Sequence, residues 1–186
     1  MELLPPLTLG WCNGWIFLAL LAATEGILFW IFPKDVVERL FDRSGWSQKQ
    51  IIFTVVGKIC ALMCLLQIIF TPLKIGSMVF MLGTCVAGLG LLGLAKALFD
   101  FKNTPIDEPV TRGLYRISRH PQIVMASVVL LGACIAIGSW GALLLLAGAR
   151  LFSHLGIRAE EEVCLKLYGE RYHSYMARVP RYFIFF

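Results

Sequence analysis

A group of basic residues stands directly before a long apolar run in the stretch YRISRHPQIV, residues 115–124. Pro121 suits the first turn of a helix, where its missing N–H costs nothing, so Arg119 and His120 should lie at a helix start. Free N–H groups and the positive end of the helix dipole collect there. Such a junction can bind a carboxylate or a phosphate. The alternative is that Arg116 and Arg119 only bind lipid phosphates.

Three adjacent glutamates, Glu160, Glu161 and Glu162, follow the last apolar run. At 100° per residue they cover most of a helix circumference, so at least one must point toward the bundle or its mouth. A buried carboxylate needs a cationic partner, and a bound cation is one candidate.

Tyrosines recur further along, at Tyr168, Tyr172 and Tyr175. Their spacings of four and three put them on one helix face as an aromatic stripe. The alternative to a binding role is anchoring at the membrane interface, where tyrosine is common.

Composition indicates a membrane protein. Hydrophobic residues make up 58% of the 186-residue chain and charged residues 16%, against about 25% charged in soluble domains. The mean hydropathy is +0.75. The formal net charge of +5 is explained by a basic surface facing anionic lipid, so no nucleic-acid partner is expected. No protein partner is indicated either.

Five apolar segments approach the length of about 20 residues that crosses a bilayer core about 30 Å thick. Helices are the only open-chain structure that satisfies the backbone in lipid, so we predict an all-α, polytopic membrane bundle. The segment GSWG should form a tight turn that makes a hairpin of the last two spans. The predicted spans are residues 11–32, 50–73, 75–99, 121–138 and 141–157, in a single membrane domain, 1–186, with a C-terminal cytoplasmic segment, 158–186.

The placement of lysine and arginine predicts the orientation. Basic residues concentrate in residues 34–49, 96–120 and 158–181, whereas the opposite side has little beyond Lys74. The positive-inside rule makes the basic side cytoplasmic, with the N-terminus outside. We expect a retained first span, in the inner membrane of a prokaryote or the endoplasmic reticulum of a eukaryote.

The first two predicted spans each contain one charged residue, Glu25 and Lys58, and the third contains Gly88, Gly90 and Gly93. Glu25 and Lys58 should lie at similar depth on neighbouring helices, which predicts an ion pair; snorkelling to headgroups and a substrate contact are the alternatives. Gly88, Gly90 and Gly93 should let helices approach closely; the alternative is that Gly88 and Gly90 let an extended ligand lie against the backbone.

The six cysteines form no C-x-x-C pair, so neither a disulfide framework nor a zinc cluster is predicted. Cys60 and Cys64 share a helix face, but no other ligand type stands nearby, and we predict no metal site.

The C-terminal half resembles a known group of enzymes. The sequence TRGLYRISRHPQ, a hydrophobic hairpin and then EEEVCLKLYGERYHSYMARVPR look like integral-membrane methyltransferases related to isoprenylcysteine carboxyl methyltransferase and phospholipid N-methyltransferases. The resemblance covers residues 100–183. It implies methyl transfer from S-adenosylmethionine to a lipophilic or amphipathic acceptor at the cytoplasmic face.

The resemblance also implies roles for single residues. Glu161 and Glu162 would hold the ammonium of the donor by charge-assisted hydrogen bonds. The junction of Arg119, His120 and Pro121 would meet its carboxylate or its adenosine. Tyr172 would support the sulfonium by cation–π contact. A thiol or amine acceptor would need a base, for which His120 or a tyrosine is the candidate. The catalytic residues are thus Arg119, His120 and Tyr172, and the same motifs add Tyr115 and Arg178 to the donor site.

Other readings stay open at this point. The family pattern has a tyrosine and a glycine where this chain has Ile123 and Met125, which disfavours an isoprenylcysteine acceptor specifically. The segment RHPQ is similar to the family of nitrite-reduction accessory proteins and a haem-dependent carotenoid isomerase. Membrane sterol reductases, which use NADPH, share a similar tail. A non-catalytic membrane scaffold is the remaining alternative.

Overall fold

The computed structural model describes residues 1–41, 48–105 and 107–183, and these residues form helices and no strand. The predicted all-α class is confirmed. The helices are α1 (Trp15–Ile31), α2 (Lys34–Phe41), α3 (Gln48–Phe70), α4 (Met78–Lys102), α5 (Pro121–Ala136), α6 (Trp140–Tyr168) and α7 (Glu170–Met176), with a short 3₁₀ helix at Gly113–Arg116.

Two of these helices, α4 and α6, are long and apolar enough to cross a bilayer. Shorter apolar helices are α1, α5 and the part of α3 from Val55 to Phe70. Each of the five predicted spans therefore coincides with an apolar helix. The number of crossings and their orientation stay predictions.

The helix of the fifth predicted span continues well past residue 157, to Tyr168. Residues 158–168 are rich in helix-forming Ala, Glu, Leu and Lys, so nothing stops the helix before Gly169, which has a φ of +54°. With 29 residues, α6 is about 43 Å long, which exceeds the apolar core of a bilayer. Its polar part from Arg158 onward lies beyond the apolar part.

Close packing of α4 against α5 depends on glycine. A Cβ atom at Gly83 would collide with the backbone of Ala136, and one at Gly132 would collide with the backbone of Ala87. The two helix backbones touch at both places. Small residues thus set the distance between these helices, as in many membrane helix pairs.

The predicted role of the α4 glycines is confirmed for two of the three. A Cβ atom at Gly90 would lie 2.7 Å from the backbone nitrogen of Val129, and one at Gly93 would overlap the side chain of Met125. A Cβ atom at Gly88 would meet nothing within 4 Å. Gly90 and Gly93 therefore allow close approach to α5, whereas Gly88 does not.

The predicted tight turn between the last two spans is confirmed. Gly138 has a φ of +68°, and the Ser139 side chain accepts a hydrogen bond of 3.0 Å from the Ala142 N–H as the N-cap of α6. The two helices that this turn joins pack against different partners: α5 packs mainly along α4, and α6 packs mainly along α3. A seam is left between α5 and α6.

The predicted ion pair between Glu25 and Lys58 is wrong. In the described part of the chain these two residues form no ion pair, and the Lys58 side chain is exposed. The neighbouring Gly57 lies against Phe152 and Ser153 of α6. Because adjacent helical residues point about 100° apart, Lys58 is turned away from that packed face.

The two ends of the bundle differ in character. At one end the N-terminal segment meets the turn after α5, where the Glu2 N–H donates to the Gly138 carbonyl at 2.8 Å. Lys74 forms an ion pair of 2.7 Å with Glu2 there. The other end holds α2, residues 103–105 and 107–120, and α7, which carry much of the basic charge.

Candidate functional site

The start of α5 is fixed by the C-terminal tail. His120 occupies the N-cap position and Pro121 the first turn of the helix, as the sequence predicts. The Arg119 N–H donates to the Pro180 carbonyl at 3.0 Å, and the Ser118 hydroxyl donates to the Arg181 carbonyl at 2.9 Å. Two distant segments thus cross at this junction.

Glu161 lies at the centre of a buried charged group, which we call the Glu161 cluster: Glu161, Arg119, His120 and Arg181. Arg119 Nε donates to Glu161 Oε1 at 2.8 Å, and each of these side chains is 3% exposed. Arg181 donates twice to Glu161 Oε2, at 3.0 Å from Nε and 2.6 Å from Nη2. His120 Nε2 lies 3.3 Å from Oε1.

The ionisation of Glu161 follows from these contacts. Burial alone would raise the pKa of this carboxyl, but hydrogen bonds to His120 and Arg181, with the positive charge of Arg119, lower the pKa to about 2. Glu161 is therefore a carboxylate at neutral pH, and the pKa of Arg181 is raised in turn. With both oxygens bonded to cations, Glu161 holds its neighbours in place.

A cavity opens beside the cluster, where α2, residues 101–123, the polar part of α6 and α7 meet. Among the residues that line it are ten polar or aromatic ones: Arg39, Phe101, Tyr115, Arg119, His120, Gln122, Glu160, Tyr168, Tyr172 and Tyr175. Segments far apart in the sequence thus enclose one chamber, in which these side chains stand among apolar ones.

Two polar groups of the cavity suit a charged ligand. The Glu160 side chain is 41% exposed, and its Oε2 lies 3.7 Å from His120 Nδ1. The Gln122 Nε2 atom is buried and has no hydrogen-bond partner among the described residues. Since a buried donor without an acceptor is unfavourable, a ligand that offers an oxygen would relieve this cost.

The tyrosines supply aromatic faces. Tyr172 and Tyr175 have ring centroids 5.7 Å apart, and the Tyr175 hydroxyl donates to the Tyr115 carbonyl at 2.7 Å. Burial raises the pKa of Tyr172 and of Tyr175 well above its ordinary value. Neutral phenols of this kind can donate hydrogen bonds and stack, but they make poor bases at neutral pH.

Arg39 of α2 closes one side of the cavity. Its Nη1 donates to the Pro105 carbonyl at 3.1 Å, and its Nη2 donates to the Glu108 carbonyl at 2.8 Å and to the Tyr168 hydroxyl at 3.0 Å. The guanidinium carbon lies 5.0 Å from the centroid of the Phe101 ring. One side chain thus ties α2 to the loop after α4 and to the end of α6.

The structure divides the residues predicted for the site into two sets. Tyr115, Arg119, His120 and Tyr172 line the cavity. The others do not line it: Pro121, Glu161, Glu162 and Arg178.

The residues of the second set have different surroundings. Pro121 is buried in the first turn of α5, and Glu161 lies in its cluster. Glu162 is exposed. Arg178 is exposed too, and its Nε donates to the Ser174 carbonyl at 3.1 Å.

Sequence reasoning missed Arg39, Gln122 and Glu160 as site residues. Helical periodicity requires at least one of the three glutamates to face inward, but it does not say which one meets the cavity. Nothing in the local sequence indicates that Arg39 belongs to the site, because its hydrogen-bond partners lie 66 to 129 residues away in the chain. The described residues contain no group of three or more His, Cys, Asp or Glu side chains that could hold a metal ion.

The described residues thus form a helical bundle with two helices long and apolar enough to cross a membrane, and with a cavity at one end that is lined by charged, aromatic and apolar side chains. Residues 74–171 match the phospholipid methyltransferase family model, and the chain belongs to this family. The resemblance to phospholipid N-methyltransferases is thereby confirmed. Comparisons with curated proteins and with solved structures gave no match.

The matched region contains much of the site. It covers α4, α5 and α6, with His120, Gln122 and the three glutamates, and it ends before Tyr172. Because this is a methyltransferase family, the match supports a membrane-associated transferase.

Proposed function

We propose that the protein transfers a methyl group from S-adenosylmethionine to a lipophilic or amphipathic acceptor in the cavity, at the cytoplasmic face of the membrane. The observation that carries this proposal is the convergence of His120, Gln122 and Glu160 with aromatic side chains in one chamber. Membership in a methyltransferase family gives the reaction class.

The residues present fit the donor. Its ammonium matches Glu160, the partly exposed carboxylate of the cavity. Its carboxylate or a ribose hydroxyl offers the oxygen that Gln122 Nε2 lacks. Its sulfonium suits an aromatic face such as Tyr172. When bound, S-adenosylmethionine supplies an activated methyl group.

The proposed role of the Glu161 cluster is to hold the segments around the cavity in fixed positions. Arg119 is bonded to Glu161 and also donates to the carbonyls of Met176 and Val179, each at 2.9 Å. The start of α5, α6 and the tail after α7 are thereby held together. Methyl transfer depends mostly on holding two reactants in line, so a rigid frame contributes directly to the rate. Glu161 is thus proposed as a positioning residue.

Proton transfer depends on the acceptor. A carboxylate acceptor is already ionised and needs no base, whereas an amine or a thiol must lose a proton. His120 lines the cavity, and its Nε2 lies 3.3 Å from Glu161 Oε1, which holds the imidazole ring in place. His120 is therefore the proposed base for such acceptors, because the neutral tyrosines are poor ones.

The placement of charge supports the cytoplasmic face. The end with the cavity carries Arg39, Arg112 and Arg116, whereas Lys74 at the opposite end is paired with Glu2. Basic residues favour the cytoplasmic side of a membrane. The soluble donor is made on that side, and a membrane-dissolved acceptor can approach from the bilayer.

Calorimetric titration of the purified protein in lipid nanodiscs with S-adenosylmethionine and with its demethylated product tests the proposal. We expect both to bind. Glu160→Gln should weaken binding about tenfold or more, because a charge-assisted hydrogen bond contributes about 1.5–3 kcal/mol. The control is Glu170→Gln, since Glu170 is exposed on α7. No binding to the wild type, or equal affinities of the two variants, would contradict the proposal.

A further inference from the structure

Arg150 is a charge inside the apolar part of α6 that the proposed reaction does not use. Its side chain is half-buried. Its Nη1 donates to the Ser127 hydroxyl of α5 at 3.2 Å, and its Nε is buried with no hydrogen-bond partner among the described residues. A guanidinium stays charged in any protein environment, so this cation is only partly satisfied.

The neighbours of Arg150 do not neutralise it. In the described ranges Arg150 forms no ion pair with a carboxylate. The polar groups within electrostatic range are the Cys64 thiol and the Tyr182 phenol. Burial raises the pKa of Tyr182 to about 12, so this phenol is neutral. His154, one turn along α6, has its Nδ1 3.0 Å from the Tyr182 hydroxyl.

The acidic residue on the same face of α6 is already engaged. Glu161 follows Arg150 by three helical turns, and about 16 Å of helix separate the two Cα positions. Both Glu161 oxygens are bonded to Arg119 and Arg181. A negative charge for Arg150 must therefore come from elsewhere.

The position of Arg150 in the fold gives access for a lipid-like molecule. Because α5 packs along α4 and α6 packs along α3, the two helices α5 and α6 contact each other over only a small part of their lengths. Arg150 and Ser127 bridge this seam within the apolar part of the helices. Charged residues at such depth are costly unless they are paired, and they commonly mark ligand paths.

We propose that Arg150, oriented by its hydrogen bond to Ser127, binds the carboxylate or phosphate group of an amphipathic molecule whose apolar chain lies in the seam between α5 and α6. The guanidinium offers Nε and its outer nitrogens in the fork geometry that suits an oxyanion. The site is separate from the donor cavity, since Arg150 does not line it. The proposal requires that α6 lies in the apolar layer of a membrane, but it does not require that the protein binds S-adenosylmethionine.

Ligand competition tests the site in the wild-type protein. The protein in nanodiscs of zwitterionic lipid is loaded with a fluorescent fatty acid, which is displaced by oleate, by dioleoyl phosphatidic acid or by oleyl alcohol. We expect at least one of the two acids to compete about tenfold or more better than the alcohol, because only they carry the anion. Whichever of the two acids competes better shows whether the ligand group is a carboxylate or a lipid phosphate. Equal competition by the alcohol would overturn the proposal.

Variants then assign the binding to Arg150. Arg150→Gln should lose the preference for the acids, and Arg150→Lys should keep part of it. The matched control is Lys58→Gln, which removes an exposed charge from α3 and should leave the preference unchanged. An unchanged preference in Arg150→Gln would contradict the proposal. S-adenosylmethionine titration of the same samples shows whether the donor site is intact, so failure of one proposal is separable from failure of the other.

Discussion

Arg119 and Glu161 form an ion pair with 2.8 Å between Nε and Oε1, although 42 residues separate them in the chain. Each side chain is 3% exposed. The pair joins the start of α5 to the polar part of α6, and Arg181 adds the C-terminal tail through the other carboxylate oxygen. The segments that enclose the cavity are thus held together by the Glu161 carboxylate. Removing this carboxylate should lower the stability of the protein, whereas removing a cavity-lining side chain should weaken ligand binding.

Glu161→Gln should destabilise the protein strongly. The substitution leaves Arg119 buried with its charge uncompensated, a loss of about 3–5 kcal/mol in the free energy of unfolding. Thermal unfolding in nanodiscs should show a lower midpoint than the wild type. Glu162→Gln is the control, because Glu162 is exposed, and its midpoint should differ little. A wild-type midpoint for Glu161→Gln would contradict the role given to the cluster.

The contribution of Glu161 should depend on pH in a defined window. Its pKa is lowered from 4.5 to about 2 in the folded state, so the folded protein binds the proton less readily than the unfolded chain does. The stabilisation is full above about pH 4.5 and is lost as the pH falls toward 2. Gln imitates the protonated acid. The stability difference between wild type and Glu161→Gln should therefore be constant from about pH 7 to 5 and shrink below that; a constant difference down to about pH 3 would disprove the lowered pKa.

Two glycine variants should separate close packing from local helix preference. Gly132→Ala places a Cβ atom against the backbone of Ala87, so α4 and α5 must move apart and stability should fall. Gly88→Ala meets nothing within 4 Å and should be neutral or stabilising by up to about 1 kcal/mol, because Ala favours helix. Unfolding midpoints of the two variants provide the comparison. Similar midpoints would mean that the helices do not touch at Gly132.

Arg39→Gln should weaken donor binding and loosen the cavity wall. The variant loses the hydrogen bonds to the carbonyls of Pro105 and Glu108 and to the Tyr168 hydroxyl. Limited proteolysis should then cut the segment after α4 faster than in the wild type. Arg178→Gln removes an exposed arginine whose Nε is bonded to the Ser174 carbonyl, and serves as the control. Equal effects of the two variants would favour a donor-site role for Arg178, as the sequence predicts.

The fold class could be predicted from the sequence because the apolar segments and the turn at Gly138 are local signals. Helix α2 was not predicted, since it lies in a basic, polar stretch between two apolar runs. The packing of α4 on α5 was predicted only through its glycines. The pairing of Glu25 with Lys58 failed because depth along two helices does not determine which way each side chain faces.

Part of the site could be predicted from the sequence, because part of it is encoded by local signals. His120 and Pro121 form a local helix-start signal, and the structure places them at the start of α5. Which glutamate meets the cavity depends on the rotation of α6, which tertiary packing decides. Arg150 escaped notice because one arginine in an apolar run leaves the hydrophobic pattern unchanged. Its significance appears only with the distance to Ser127.

Photo-crosslinking tests the central claim, that the cavity is the donor site, most directly. The wild-type protein in nanodiscs is irradiated with an azido-adenosyl derivative of the demethylated donor, and labelled peptides are located by mass spectrometry. We predict label in residues 101–123 and 160–175, which contribute most of the cavity wall, and its loss when unmodified S-adenosylmethionine is in excess. Competable label confined to the opposite end of the bundle, in residues 1–14 or 71–77, would contradict the account.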